Sequence, residues 1–298
     1  MSVQNQHQIG HEPYDAPNSW WQVLSRYQPR WLWWWWWAFH WTYYQFFSFG
    51  DAYLIDGSNA RPVMLTMRTQ MTHDTIRLVF SFPSRQSLGI TCGQHIWCHL
   101  GDHKRAYTPT THADGQFELV VKRVPDGIVS GYLHQMAIGH TLLISGPAGR
   151  CSYRGGGVFT LSVYKAPEMT MLTSHVLCVC AGSGITPIYA VLKHVACVDV
   201  DMKVKVLYVN KTVDDVILRT ELDEMCENHQ NVECHYTLTQ PPPEWTGLVG
   251  RPSIDMIAGI ANTARNEVVL VCGSVSFNRC IAESCLKLGY ERRMLVLF

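Results

Sequence analysis

At 298 residues the chain is long enough for two domains of ordinary size. Its 24 Lys and Arg balance 24 Asp and Glu, which excludes both the basic footprint of a nucleic-acid-binding protein and an acidic tail. The 11 cysteines and 14 histidines form no C-x-x-C pair, no zinc-spaced cluster and no H-E-x-x-H, so no metal site is expected and the thiols read as reduced, in a cytosol-facing protein.

Residues 1–30 are polar, carry prolines at 13, 17 and 29, and show no helical or strand periodicity. Residues 31–49 form a run of Trp, Tyr and Phe with no Lys, Arg, Asp or Glu. That length is marginal but adequate for spanning a bilayer, yet Trp and Tyr favour the interfacial belt over the hydrocarbon core. The run reads as an interfacial or membrane-anchoring segment, with Arg26 and Arg30 facing lipid head groups. A low-complexity run without a fold and a misassigned upstream start stand as the alternatives. The small-residue cleavage pattern of a secretory signal is missing, and Ser2 excludes N-myristoylation. Residues 1–60 are therefore set apart from the two folded domains.

From Pro62 short alternating strands begin, and 61–165 reads as a small antiparallel barrel. Thr75–Phe80, Gln94–Leu100, the stretch around Arg105–Tyr107, and Gln116–Arg123 are its strands, punctuated by glycines 89, 93, 101 and 115. The string Arg105-Ala106-Tyr107-Thr108-Pro109-Thr110 suits a flavin nucleotide held against a strand end. Arg105 offers a planar fork for a pyrophosphate, Tyr107 a flat ring with a hydroxyl, and Thr108 a donor. A plain strand running into a turn is the alternative. Pro125–Leu133 is a glycine turn leading into a helix, which leaves backbone N–H groups free as an anion site or forms an ordinary helix start. Thr141–Ser145 is a strand that Gly146-Pro147-Ala148-Gly149 ends with a tight turn.

Over 170–298 strand and helix signals alternate, which means a parallel sheet covered on both faces. The strands are Val176–Ala181, Lys203–Asn210, Val232–Thr239, Val268–Cys272 and Met294–Phe298. The helices are Ile188–Val198, Asp215–Asn228, Ser253–Asn262 and Cys280–Leu288. Gly182-Ser183-Gly184-Ile185-Thr186-Pro187 follows the first strand, where such sheets bind ligands. Gly182 and Gly184 let backbone approach a pyrophosphate or simply make a tight turn. Asp215, past the second strand, accepts from a ribose hydroxyl or caps the following helix. Cys272-Gly273-Ser274 ends a later strand, beside the expected nicotinamide position or as a buried thiol and a turn glycine.

Taken in order, Gly93-Gln94-His95, Arg105–Thr110, Val120-Val121-Lys122, Gly127–Ser130, Gly146–Gly149, Gly182–Pro187, Asp215–Leu222, Tyr236-Thr237-Leu238, Glu244-Trp245, Cys272-Gly273 and the terminal Leu297-Phe298 resemble the NADH-cytochrome b5 reductase family. That family lies within the ferredoxin–NADP reductase superfamily, and R-A-Y-T-P with C-G-S-x-x-F looks most like its cytochrome b5 reductase-like sub-branch. The resemblance covers 61–298. It implies a two-domain β + α/β fold: a flavin-binding antiparallel β-barrel, then a Rossmann-like parallel-sheet nucleotide-binding domain.

The resemblance implies FAD held by Arg105, Ala106, Tyr107, Thr108, Val120, Lys122, Gly127, Ile128, Val129 and Ser130. NADH would lie along Gly182, Gly184, Thr186, Pro187, Asp215, Cys272, Gly273 and Phe277. The implied reaction is hydride transfer from NADH to FAD, then single electrons to cytochrome b5 or a similar haem protein. Thr108 and Lys122 would stabilise charge on the reduced flavin, His95 would relay a proton or be a satisfied histidine, and Cys272 would sit beside the nicotinamide. A monomer on the cytoplasmic side is implied, anchored through 31–49 to the endoplasmic reticulum or mitochondrial outer membrane.

Two departures stand out. Cys272-Gly273-Ser274-Val275-Ser276 replaces the family's C-G-P-x-P, which would loosen that loop. Ile128 stands where a basic residue is common, which shifts the phosphate load onto Arg105. An NAD(P)H-dependent flavoprotein reductase with another acceptor and a non-catalytic nucleotide-binding scaffold are the rival functions.

Overall fold

The computed structural model describes residues 52–54, 59–83, 86–113, 115–161, 168–199, 201–262 and 267–298. The aromatic run at 31–49 lies outside the described residues, and Gly50–Phe298 forms one unit.

The front half is built from β1 (Arg61–Thr72), β2 (Thr75–Ser81), β3 (His95–Leu100), β4 (His103–Tyr107), β5 (Thr111–Ala113), β6 (Gln116–Lys122), α1 (Ile128–Gln135) and β7 (Thr141–Ala148). The strands form one antiparallel sheet in the order β4-β3-β7-β1-β2-β6-β5. It wraps one apolar cluster and is open between its edge strands β4 and β5. Period-2 alternation explains the wrapping. Ile76, Leu78 and Phe80 face Val121, Leu119 and Phe117 across β2 and β6, all buried, with Phe80 and Phe117 stacked at 5.3 Å. The residues between them, Arg77, Glu118, Val120 and Lys122, therefore point to the other face. Two expectations need correction here. β1 was not foreseen as a strand. β7 runs through Gly146 and Pro147 to Ala148 instead of stopping at Ser145.

A small antiparallel sheet, β8 (Cys151–Tyr153), β9 (Val158–Leu161) and β10 (Met169–Leu172), follows in the order β10-β9-β8. It was not foreseen either. The rear half alternates β11 (His175–Ala181), α2 (Ile185–Val198), β12 (Lys203–Asn210), α3 (Arg219–Asn228), β13 (Val232–Leu238), β14 (Leu248–Val249), α4 (Ile254–Ile260), β15 (Val268–Cys272), α5 (Val275–Lys287) and β16 (Leu295–Leu297). Its sheet, β14-β13-β12-β11-β15-β16, is parallel throughout. One apolar cluster lies on each of its faces, as the continuous apolar runs of β11 and β15 require.

Three helix starts differ from expectation. α2 begins at Ile185, directly after a 3-10 turn at Gly182–Gly184, which makes Pro187 its third residue. α3 begins at Arg219, after Leu218 in the left-handed region, and not at Asp215. α5 begins at Val275 because the Ser274 hydroxyl accepts from the Phe277 N–H at 3.2 Å and caps it. The Ser274 departure thus gives a capped helix start in place of a loose loop.

Candidate functional site

The outward face of β6 is the wall between the halves. Val120 is buried in the rear-half apolar cluster, away from the barrel core, and β6 packs against the Gly182–Gly184 turn. On either side of Val120 are ion pairs that cross the wall. The Lys122 ammonium lies 2.8 Å from Asp74 Oδ2 and 3.2 Å from Asp215 Oδ1. Arg77 pairs with Glu118 at 3.4 Å and with Glu221 of α3. Asp74, Arg77, Glu118 and Glu221 were not singled out from the sequence. The only available signal was their place on the outward register of β2 and β6, in the turn before β2, or in the first turn of α3.

Asp215 is fully engaged. Its Oδ2 accepts from the Thr212 N–H at 3.1 Å and the Thr212 hydroxyl at 2.7 Å. These close a capping box around the 3-10 turn Val213–Asp215, so Asp215 does not cap α3. Burial works against its charge, but the bonds from Thr212 and Lys122 outweigh it and hold the carboxyl below its usual range. Burial likewise pulls Lys122 down, and Asp74 and Asp215 more than reverse it.

The β4 side is more open. Arg105 is exposed, and its Nη1 donates to the Lys104 carbonyl at 2.9 Å. Tyr107, two residues on and on the same face, is half-buried against the barrel core, and burial pushes its phenol up. Ala106 faces the opposite way, opposite Trp97, and is exposed. Thr108 is half-buried and Pro109 buried. With Thr110 to Ala113 and Lys193, His194 and Cys197 of α2, they line a cavity of about 290 Å³. Ile96 pairs with Tyr107, which puts His95 level with Thr108. The His95 ring sits edge-on to Trp97 at 5.1 Å, with a buried Nε2 that has no partner among the described residues. Burial pushes the imidazole below its ordinary value, so the ring is neutral at pH 7.

α1 packs against β3, β4 and β6, and its N-terminus at Gly127 has no side-chain cap. The first backbone donors of a helix have no intrahelical partner, and no side chain caps them here. Ile128 is 54% exposed, whereas Val129 is buried against the barrel core and offers only its backbone. The Ser130 hydroxyl accepts from Val124 N–H and donates to the Gly127 carbonyl, each at 3.2 Å, so it closes the turn.

On the rear half, Gly182 has φ +53° and open space where a Cβ would be. Gly184 is required by close approach: a Cβ there would lie 2.2 Å from the Cys272 carbonyl oxygen. The Tyr208 hydroxyl pins the turn from below, donating to the Gly182 carbonyl at 2.9 Å and accepting from Ile217 N–H at 3.3 Å. Thr186 is buried and donates to the Ser183 carbonyl at 3.2 Å. Pro187 is buried in the first turn of α2. Burial pushes the Cys272 thiol up to about 12, so it is an unreactive neutral group. Gly273 lies against the Phe277 ring, where a Cβ would be 2.5 Å from the ring edge.

The geometry thus offers an uncapped helix start on one half and an open glycine turn on the other, with β6 packed against both. A guanidinium, a flat ring, an uncapped helix start and an open glycine turn fit a flavin dinucleotide and a nicotinamide dinucleotide. The comparisons agree. Residues 62–153 match the oxidoreductase FAD-binding domain, and residues 178–283 match the oxidoreductase NAD-binding domain. NADH--cytochrome b5 reductase 1 of Arabidopsis thaliana is 33% identical over 255 residues, covering 82% of this chain and 85% of that protein. NADH-cytochrome b5 reductase 2 of Mus musculus is 30% identical, covering 80% of this chain and 94% of that protein. The cytochrome b5 reductase domain of Ulva prolifera nitrate reductase superposes with a TM-score of 0.75 at 26% identity, covering 83% of this chain and all of that one. An antiparallel flavin domain joined to a parallel-sheet NAD domain is the architecture of these proteins, and the chain belongs to the NADH-cytochrome b5 reductase family.

Proposed function

We propose that this chain is an FAD-dependent oxidoreductase that takes a hydride from NADH and passes electrons singly to cytochrome b5 or a similar haem protein. The observation that carries this reading is the placement of β6, with the uncapped start of α1 on one side and the Gly182–Gly184 turn on the other. Bound FAD supplies the chemistry, accepting two electrons together and releasing them one at a time. Arg105 and the α1 backbone N–H groups hold its pyrophosphate, and Tyr107 offers its ring and hydroxyl. Gly182, Gly184 and Thr186 approach the pyrophosphate of NADH, while Cys272, Gly273 and Phe277 wall the nicotinamide end. Val120 and its buried neighbours exclude water from the wall between them. Lys122 places a positive charge there, held by Asp74 and Asp215. His95, neutral with a free Nε2, is the group that would accept a proton beside Thr108.

Exposed Lys104, Arg150 and Arg154 are cations suited to an acidic haem partner. NADH-driven reduction of a soluble cytochrome b5 domain tests the reading: turnover with NADH is expected, slowed by raised salt. Absence of turnover with both NADH and NADPH, in protein that retains FAD, would favour a scaffold. Membrane attachment through residues 31–49 is a separate proposal resting on composition. Among the described residues no helix is long and apolar enough to cross a membrane. Fractionating cells that express the full chain or a version starting at Asp51 tests it: only the full chain should sediment with membranes.

A further inference from the structure

Two thiols of the rear half take no part in the cofactor site, and they face each other across one helix–strand seam. Cys226 lies near the end of α3 and Cys234 lies in β13, and α3 packs along β13. At one point of that seam the Tyr236 hydroxyl donates to Asp223 Oδ1 at 2.6 Å. Three residues further along the helix and two back along the strand, the Cys226 and Cys234 side chains face each other on the same seam, both packed against the rear-half apolar cluster. Three helical residues advance about 4.5 Å and two strand residues about 6.6 Å, so the two pairs are successive rungs of one seam. Both sulfurs are half-buried, whereas Cys178 and Cys180 behind them are fully buried and Cys197 and Cys280 are exposed on other helices.

We propose that Cys226 and Cys234 are a site of reversible disulfide formation, with Cys226 as the attacking thiol and a hydroperoxide as the oxidant. The Cys226 sulfur attacks one peroxide oxygen, the O–O bond breaks, and the departing oxygen leaves as water, or as an alcohol from an organic peroxide. Cys226 then carries a sulfenic acid. The Cys234 sulfur attacks the Cys226 sulfur, the S–O bond breaks, and that oxygen leaves as water with the Cys234 proton. The two thiols lose two electrons, the peroxide gains them, and a dithiol reverses the change. The surroundings divide the roles. The Cys234 group beside it holds Cys226 below its ordinary value, against burial and the nearby charges of Asp223 and Glu233. Cys226 and burial push Cys234 up. The bridge would fasten the far end of the helix whose first turn carries Glu221, the partner of Arg77.

The test is peptide mapping of the purified full chain with FAD bound, treated with hydrogen peroxide and then blocked with iodoacetamide. One cross-linked peptide joining Cys226 to Cys234 is expected, and dithiothreitol should remove it. In Cys234→Ser, dimedone should trap a sulfenic acid at Cys226; in Cys226→Ser, Cys234 should stay unmodified. The main readout needs no substitution, so a variant that failed to fold would leave it intact. The proposal is overturned if both thiols are alkylated at a peroxide dose that oxidises Cys197 and Cys280, or if either one bridges to a different cysteine.

Discussion

Gly184→Ala is the sharpest perturbation the structure offers. The added methyl would lie 2.2 Å from the Cys272 carbonyl oxygen and 2.6 Å from its carbon. Both atoms are backbone, so relief requires that the Gly182–Gly184 turn or the end of β15 move by about 1 Å, a displacement able to cost about a hundredfold when it misplaces reacting groups. That factor corresponds to about 2.7 kcal/mol of transition-state stabilisation. The turn and Cys272 both lie on the nicotinamide side, so the loss should appear in kcat/KM for NADH. FAD content, carried by the front half, should be unchanged. Overpacking should also lower stability by about 1–3 kcal/mol. Steady-state NADH–ferricyanide kinetics, flavin absorbance and a thermal melt read the three quantities separately. Gly182→Ala is the internal comparison. Its Cβ meets nothing within 4 Å, so only the strain of φ +53° remains, about 1 kcal/mol. If Gly184→Ala kept kcat/KM within twofold of the parent, the reading of that turn as the NADH cradle would be refuted.

Three further outcomes follow from the same geometry. Arg105→Ala should weaken FAD retention by about ten- to a hundredfold, the worth of a charge-assisted bond, with little change in the KM for NADH in FAD-saturated protein; a variant that kept its flavin through gel filtration and lost only NADH affinity would reverse the assignment. Tyr208→Phe removes the donor to the Gly182 carbonyl and the acceptor of Ile217 N–H, so it should cost about 1–3 kcal/mol in chemical denaturation and raise the KM for NADH. Asp74 and Asp215 are both held below the ordinary 3.8, against burial, by their bonds to Lys122, Thr212 and neighbouring hydroxyls. Their contribution is therefore fully present above about pH 5 and lost as pH falls through the depressed values, because the unfolded carboxyls bind protons first. Partial exposure limits it to about 1 kcal/mol each. Denaturant midpoints measured from pH 6 down to pH 3 should fall less steeply in Asp74→Asn and Asp215→Asn than in the parent.

The rear half was legible because its signals are local. β15 is a continuous apolar run, β12 is rich in Val, Leu and Tyr, and both appear with the bounds their sequences indicate. β1 was not legible because bulges at Leu65/Met67 and Gln70/Thr72 break its alternation and leave Met64 and Met67 exposed. α5 extends five residues earlier than its apolar periodicity because a serine cap, not a hydrophobic stripe, sets its start. The flavin and nicotinamide stretches were visible as residue strings, each short and contiguous. What holds the two halves together was not, since Lys122 meets Asp215 across 93 positions and Arg77 meets Glu221 across 144. Such pairs depend on which face of β6 looks outward and on how α3 is placed, and neither is written in a neighbouring residue. Asp215 shows the difference: its spacing pointed to a ribose or a helix cap, and its carboxylate closes a turn and meets a lysine of the other half.

The central claim is that two cofactors meet across β6, and the absorption spectrum of the purified protein before and after anaerobic addition of NADH tests it most directly. The account predicts a yellow protein whose flavin band bleaches on adding NADH and returns, as cytochrome b5 is reduced, when that acceptor is supplied. A correctly folded protein that stays colourless after incubation with FAD, or one whose flavin band is unchanged by NADH, would contradict it.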